Sequence, residues 1–242
     1  MAGRFLVISQ QIHIEHNIFA DKSSLILEWL LFTGIKMGEF SIREVSRDRG
    51  ISVGLVQRIF GVLLMNGYLQ TMGLRTAKKF ILKKPESLLK SWLEQYSIMK
   101  KCKMWTYSTG LQSRQKAIEI LMKSPIGKKV AFALHSAAED LELKNTNIQT
   151  LELYMLEPSL RQEIEEILLL EPQERGYQIL LVEPYYKTML NAQAHATKGR
   201  QLICSPPLLA FLDLYNFPLR GREQAEFMAE RIPELKRIYQ KS

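Results

Sequence analysis

The sequence predicts an α+β protein, with an N-terminal winged helix-turn-helix domain followed by a mixed α/β C-terminal domain. Between residues 22 and 82, apolar residues recur at helical spacing and then in two short strand-like runs. Beyond residue 125, strand-like and helix-like runs alternate. Of the 242 residues, 46% are hydrophobic and 24% are charged, a composition typical of a globular protein with a proper core.

Positive charge is distributed unevenly along the chain. Residues 1–124 contain 19 Lys and Arg residues against 9 Asp and Glu residues, whereas residues 125–242 contain 14 against 16. The whole excess behind the net charge of +8 therefore lies in the first half. This asymmetry indicates a polyanion-binding module followed by a module with another role, although a solvated basic surface without a partner would give the same count.

An N-terminal arm precedes the first predicted helix. The stretch RFLVISQQIHIEHNIF alternates apolar and polar residues locally, which favours a strand or an irregular arm. His13 and His16 lie in this stretch without a carboxylate or cysteine at ligand spacing, so no metal site is expected. Helical spacing begins after DKSS, whose Asp and Ser residues can cap a helix, and Gly34 and Gly38 mark its end.

Two further helices are predicted on either side of a tight turn. Ser41 can cap the first, and Gly50 permits the left-handed turn that follows it. Ser52 can cap the second, which Asn66 and Gly67 end. The buried stripe of this second helix is predicted to consist of Val56, Ile59, Phe60 and Leu63.

A two-stranded ribbon completes the motif. The runs YLQTM and KFILK predict short strands around a turn that contains Gly73. Helix, helix, turn, helix and ribbon is the order of a winged helix-turn-helix, which places its recognition helix in the major groove. The residues predicted to contact DNA are Arg43, Arg47, Arg49, Ser52, Val53, Gly54, Gln57, Arg58, Arg75, Lys78 and Lys79.

These residue types suit both base and phosphate contacts. Gln57 can pair with adenine and Arg58 with the N7 and O6 atoms of guanine. Gly54 and Gly61 would let the helix backbone approach the duplex closely. The other cations are expected at the groove edge and on the wing, where about six phosphate contacts would reduce affinity roughly a thousandfold between 50 and 200 mM salt.

Residues 85–124 are predicted to link a first domain, residues 1–84, to a second, residues 125–242. The run KKPESLLKSWLEQYS predicts a helix with Pro85 in its first turn, and KKCKMWTYST predicts a strand. Trp92 and Tyr96 lie on one apolar face of the helix. At that spacing, core packing is favoured over a platform for stacking bases.

The second half is predicted to be mixed α/β. Helices are expected at VAFALHSAAEDL and, after Pro158, at SLRQEIEEILLL. Strands are expected at IQTLELYML, YQILLVEP and RQLICS, and closing helices at residues 206–216 and 221–238.

No catalytic site is predicted in this half. A nucleotidyltransferase would need paired aspartates on a strand, and the only aspartates of this half, Asp140 and Asp213, each lack a second aspartate two residues away. VEPYYK lacks the Glu-x-Lys spacing of a nuclease, and no glycine-rich phosphate loop is present. His135 and His195 are expected to be core or surface histidines. The sequence therefore predicts no enzyme, no cofactor and no metal.

The run SPPLLAFLDLYNFPLRGREQAEFM is predicted to be a joint between two helices rather than an active site, with an electrostatic surface for a partner or RNA as the alternative. Ser205 is expected to cap the first helix, and Pro218 and Gly221 to form the joint. Asp213 is expected to pair with Arg220 or Arg222 across it. The apolar stripe of the first helix is predicted to consist of Leu208, Leu209, Phe211, Leu212 and Tyr215.

From about residue 22 to 238, the chain resembles the AbiEi-like antitoxins of type IV toxin–antitoxin systems, which are bacterial transcriptional regulators. The resemblance depends on the winged helix, the KPESLLKSWLEQY helix and the SPPLLAFLDLYNFPLRGREQAEFM run. FALHSAAEDL, with His135 where Ser or Thr is commoner, and ILLVEP also match the family. The resemblance implies a repressor of its own operon that binds double-stranded DNA at promoter repeats. It also implies a nucleotidyltransferase-like toxin as functional partner, countered without a tight complex.

Two other functions remain open: a ligand-sensing winged-helix regulator without a toxin, and an enzyme acting on nucleic acid. No apolar run reaches the roughly 18 residues of a membrane span, and the start MAGRFLVISQ lacks the features of a secretory signal. Cys102 and Cys204 have no metal-ligand spacing and are expected to be reduced thiols. A cytoplasmic protein without membrane contact is therefore expected.

Overall fold

The computed structural model describes residues 17–73, 78–196 and 202–240 and shows an α+β protein. The helices before the large sheet are α1 (Asp21–Trp29), α2 (Ile35–Met37), α3 (Ile42–Arg49), α4 (Val53–Met65), α5 (Pro85–Gln95) and α6 (Ile98–Lys101). A π-helical turn, Leu30–Gly34, joins α1 to α2. No described helix is long and apolar enough to cross a membrane.

A short ribbon follows α4. Its strands β1 (Leu69–Met72) and β2 (Lys79–Leu82) are antiparallel, and Phe40 adds a bridge to Phe80 at the outer edge of β2. The strands predicted from YLQTM and KFILK are therefore confirmed. The core under the ribbon contains four aromatic rings in edge-to-face contact, with centroids 4.8–5.9 Å apart. These rings belong to Trp29, Phe40, Phe60 and Phe80.

The predicted caps of α3 and α4 are present. The Ser41 hydroxyl accepts a hydrogen bond from the Glu44 amide, while the Glu44 carboxylate accepts one from the Ser41 amide, which forms a capping box. Gly50 has a φ of 62°, the left-handed conformation that ends α3. The Ser52 hydroxyl accepts a hydrogen bond from the Leu55 amide and begins α4.

The second half is built on a mixed sheet of six strands. They are β3 (Lys103–Thr109), β4 (Val130–Phe132), β5 (Leu151–Met155), β6 (Leu170–Pro172), β7 (Ile179–Glu183) and β8 (Ile203–Cys204). Their order in the sheet is β6-β3-β7-β5-β4-β8. The β5–β7 and β4–β8 pairs are parallel and the others antiparallel. Every residue of β5 is buried, which places it in the core.

Seven helices follow β3 in the part of the chain that the structure describes. They are α7 (Arg114–Lys123), α8 (Leu134–Asp140), α9 (Arg161–Ile167), α10 (Lys187–Ala196), α11 (Pro207–Tyr215), α12 (Gly221–Arg231) and α13 (Pro233–Ile238). Two 3₁₀ turns, Pro125–Lys129 and Pro158–Leu160, precede β4 and α9.

Three predicted helices are shorter than expected. The helix predicted from VAFALHSAAEDL is wrong over Val130–Phe132, because these buried residues pair with β5 and β8 instead. The helix predicted from SLRQEIEEILLL ends at Ile167, and Leu170–Pro172 forms an edge strand. The last predicted helix breaks at Ile232 because Pro233 begins a new one.

The two halves are joined by hydrogen bonds. The Asp21 carboxylate on α1 accepts bonds from the amide and the hydroxyl of Thr188, at 2.8 and 2.6 Å, and so caps the start of α10. The Trp92 indole donates to the Tyr186 hydroxyl at 2.7 Å. Trp92 and Tyr96 are buried, as their helical spacing predicts.

Candidate nucleic-acid interface

One face of α4 is buried and the opposite face is open. The predicted buried stripe is confirmed and consists of Val56, Ile59, Phe60 and Leu63. The exposed residues of the first two turns are Val53, Gly54, Gln57 and Arg58. Val53 is 47% exposed. Since Ser52 caps the helix, these side chains and the first amides without an intrahelical partner lie at the N-terminal end of α4.

Two glycines lie on this open face. Gln57 and Arg58 follow Gly54 by three and four residues, and Gly61 follows it by seven. All four residues therefore lie along one side of the helix. A methyl group added at Gly54 or Gly61 would meet no heavy atom within 4 Å beyond its own helix turns and chain neighbours. Neither position needs a positive φ, so internal packing does not require glycine at either one.

The cations of α3 differ in their surroundings. Arg43 is exposed and has no acidic partner among the described residues. Arg47 is also exposed and lies 3.1 Å from the Asp48 carboxylate. The Arg49 guanidinium instead lies 3.2 Å from the Glu28 carboxylate on α1, and its side chain is only 25% exposed. Arg49 thus has a structural partner within the chain, which Arg43 lacks.

Two acidic side chains of this region connect α3 to its neighbours. Burial raises the pKa of Glu28, while Arg49 opposes that shift. Asp48 accepts a hydrogen bond of 3.1 Å from the indole of Trp29. The sequence prediction missed both roles, because contacts between α1 and α3 depend on how the helices pack rather than on a local pattern.

The ribbon presents Lys78 and Lys79 beside α3. Lys78 is exposed, with its Nζ atom 5.5 Å from the centre of the Phe80 ring. The Lys79 Nζ atom lies 3.4 Å from the Glu44 carboxylate, and hydrogen bonds from Ser41 together with this ammonium lower the pKa of Glu44. Arg75, the third predicted wing residue, lies outside the described residues, as do His13, His16 and the side chain of His195.

A protein-family model matches the chain from the ribbon to the start of its last helix. A model of the family described as "Transcriptional regulator, AbiEi antitoxin, Type IV TA system" matches residues 81–233. This span is well over half of the 242 residues. The chain belongs to this family. The resemblance predicted from the sequence is thereby confirmed, and the family is one of transcriptional regulators rather than of enzymes.

The family match begins in β2 and ends at Pro233, so it covers the linker helix α5 and most of the second half but not α1–α4. No curated protein and no solved structure matches the chain. The residues predicted to contact DNA, which lie between positions 43 and 79, are therefore outside the matched span.

The end of the second half has a structural arrangement that differs from the predicted one. Asp213 is buried and accepts hydrogen bonds from Tyr96 and Tyr154, so its predicted pairing with Arg220 or Arg222 is wrong. The two arginines pair with acids of their own helix, Arg220 with Glu223 at 2.7 Å and Arg222 with Glu226 at 2.9 Å.

Two smaller predictions for this half have different outcomes. Ser205 does not cap α11, because Pro206 occupies the N-cap and the Ser205 hydroxyl is buried without a hydrogen-bond partner among the described residues. His135 is a core histidine, as predicted. The carbonyl of Leu219 accepts a hydrogen bond from its Nε2 at 3.1 Å, and its Nδ1 lies 3.2 Å from the Thr146 hydroxyl. Burial lowers the pKa of His135 to about 4, so the ring is neutral.

In residues 17–73, 78–196 and 202–240, no group of three or more His, Cys, Asp or Glu side chains is placed to hold a metal ion. Neither Cys102 nor Cys204 forms a disulfide bond. Burial raises the pKa of Cys102 to about 12, which makes this sulfur a poor nucleophile and a poor metal ligand.

Proposed function

We propose that residues 21–82 form a winged helix-turn-helix that binds operator DNA through the open face of α4. In this proposal, Gln57 and Arg58 read base edges in the major groove, and Arg43, Arg47 and Lys78 contact phosphates. Arg75 and Lys79 would extend the phosphate contacts on the wing. Arg49 would have a smaller part, because Glu28 already holds its guanidinium.

The glycine pattern of α4 is the observation that carries this proposal. Glycine inside a helix costs about 1 kcal/mol relative to alanine. The surroundings of Gly54 and Gly61 leave room for a methyl group, so the fold itself gains nothing from glycine there. A helix backbone that must approach another macromolecule closely would gain from it. The exposed Arg58 between the two glycines fits a nucleic-acid partner.

Binding to the DNA upstream of the chain's own gene tests the proposal. A titration of labelled promoter duplex should give saturable binding that weakens roughly a thousandfold between 50 and 200 mM salt, if about six phosphates are contacted. A scrambled duplex of equal length provides the control for sequence specificity. Equal affinity for both duplexes would contradict sequence-specific recognition. No binding at low salt would contradict DNA binding itself.

For the whole chain we propose an autoregulating antitoxin of a type IV system. Membership of the AbiEi antitoxin family supports this proposal, and its functional partner would be a nucleotidyltransferase-like toxin that is countered without a tight complex. The protein would repress its own promoter from inverted repeats and act in the bacterial cytoplasm. Growth of cells that carry the neighbouring gene, with and without this chain, tests the antitoxin role. Equal toxicity in both cultures would contradict it.

A ligand-sensing regulator is the second candidate, favoured by a groove of about 910 Å³ between α5 and the ends of α11 and α13. Its walls include Tyr96, Tyr215 and Tyr239. In that case a small molecule would alter operator affinity in the purified protein. Rescue from the toxin without any such effector would favour the antitoxin role.

A further inference from the structure

Asp213 is a fully buried carboxyl group on α11 that joins three parts of the chain. Its Oδ1 accepts a hydrogen bond of 2.7 Å from the hydroxyl of Tyr96, the residue after α5. Its Oδ2 accepts a bond of 2.6 Å from the hydroxyl of Tyr154 on β5. The sulfur of Cys102, directly before β3, lies 3.8 Å from the Tyr96 hydroxyl oxygen. These four residues are called the Asp213 cluster below.

The Asp213 cluster is connected to the first half of the chain through Tyr186. The rings of Tyr96 and Tyr186 are in contact, with centroids 4.7 Å apart. The Tyr186 hydroxyl donates a hydrogen bond of 3.0 Å to the carbonyl of Phe19 and accepts one from the Trp92 indole. Whatever loosens Tyr96 therefore also loosens the contact between the linker and the residues before α1.

Among the described residues, no buried cation neutralises the Asp213 carboxylate. Besides the linker and β5, α11 packs against α6, α8 and α12. The charged or titratable residues of these three helices are Lys100, Lys101, His135, Glu139, Asp140, Arg222, Glu223, Glu226, Glu230 and Arg231. All except His135 are exposed or half-buried, and both His135 ring nitrogens are bonded to other groups. Burial consequently raises the pKa of Asp213 to about 7, although the two tyrosine hydroxyls oppose the shift.

Both protonation states fit the observed geometry. When Asp213 is ionised, both tyrosines donate to it. When it is protonated, the carboxyl can donate to the Tyr96 oxygen, and the Tyr96 hydrogen can turn toward the Cys102 sulfur. The protonated arrangement leaves no uncompensated charge in the core.

We propose that protonation of Asp213 controls how firmly residues 96–102 of the linker are held against the C-terminal half. The contact is tighter with a proton on the carboxyl group and looser without one. The sign follows from the ordinary Asp value of 3.8, which applies when the carboxyl opens to water. Because the folded protein binds this proton more tightly, the contact weakens as the pH rises from about 4 to about 7.

Amide hydrogen exchange in the full chain tests the proposal. The Tyr96 and Cys102 amides, which donate to Trp92 and Ile98, report on the linker. The readout is the ratio of their exchange rates in the wild type and in Asp213→Asn, because this ratio cancels the intrinsic pH dependence of exchange. Where exchange is limited by the opening equilibrium, we expect this ratio to rise about thirtyfold between about pH 5.5 and pH 8.5.

Glu163→Gln, which removes an exposed carboxylate on α9, is the matched control and should follow the wild type at every pH. A wild-type to Asp213→Asn ratio that stays constant over this pH range would overturn the proposal. Should Asp213→Asn fail to fold, Tyr96→Phe gives the answer instead. Loss of one donor to the carboxylate favours its protonated form, so the pH-dependent increase in amide exchange should shift to higher pH. An unchanged pH dependence of exchange would overturn the proposal.

Discussion

Gly61 and Gly221 are both helix glycines, but their surroundings are opposite. A methyl group at Gly61 meets open space, whereas one at Gly221 would lie 2.4 Å from the carbonyl oxygen of Leu214 and 2.9 Å from Cβ of Phe217. The fold thus requires glycine at the joint between α11 and α12. At Gly61 the fold does not require glycine, and the proposed close approach of α4 to DNA supplies a reason for it.

Two arginines of α3 and α4 differ in the same way from two arginines of the joint. Arg43 and Arg58 have no acidic partner among the described residues, while Arg220 and Arg222 are each bound to a glutamate of their own helix. Charges without an internal partner are available to a polyanion. The comparison therefore supports the proposed binding role of α3 and α4 and gives the joint a structural role.

Gly221→Ala should produce the largest effect on stability. Overpacking against backbone costs about 3 kcal/mol, because the Leu214 carbonyl cannot move without disturbing α11. Chemical denaturation measures this loss. Operator affinity should be unchanged at a temperature where the variant is folded. A stability equal to that of the wild type would contradict the claim that the joint requires glycine.

His135 makes the same region sensitive to acid. Its pKa is about 4 in the folded protein and 6.5 ordinarily, so the unfolded chain binds the proton first. Stability should therefore fall as the pH decreases from about 6.5 to about 4, by about 3 kcal/mol from this group. Asp213 has the opposite trend, so the effect is measured as the difference between wild type and His135→Gln. A difference that does not vary with pH would contradict this prediction.

Arg58→Ala should weaken operator binding by about 2 kcal/mol, or roughly thirtyfold, because a bidentate contact to guanine is lost. The matched control is Arg222→Ala, which removes an arginine paired with Glu226 and should leave affinity unchanged. Fluorescence anisotropy with the promoter duplex measures both. Equal losses for the two variants would mean that only net charge matters.

The local parts of the fold follow from the sequence. Ser41, Gly50 and Ser52 act within a few residues of themselves, so the turn between α3 and α4 could be predicted in detail. The short strand β4 could not, because Val130–Phe132 continues into a helix along the chain and is extended only through pairing with β5 and β8.

Polar contacts between residues far apart in the chain could not be predicted from the sequence either. Asp213 is close in sequence to Arg220, but its partners Tyr96 and Tyr154 lie more than fifty residues away. The candidate interface could be predicted as a set of exposed residues on α4. The restraint of Arg49 by Glu28 depends on the packing of α1 against α3, which no local pattern reveals.

Gly61→Ala tests the central claim most directly, since it changes stability and DNA binding in opposite directions. Alanine should stabilise the folded protein by about 1 kcal/mol, because the site has room for a methyl group and helical glycine is unfavourable. The same variant should bind the promoter duplex more weakly than the wild type, as the methyl group holds α4 away from the groove. A more stable protein with undiminished operator affinity would contradict the assignment of this face to DNA.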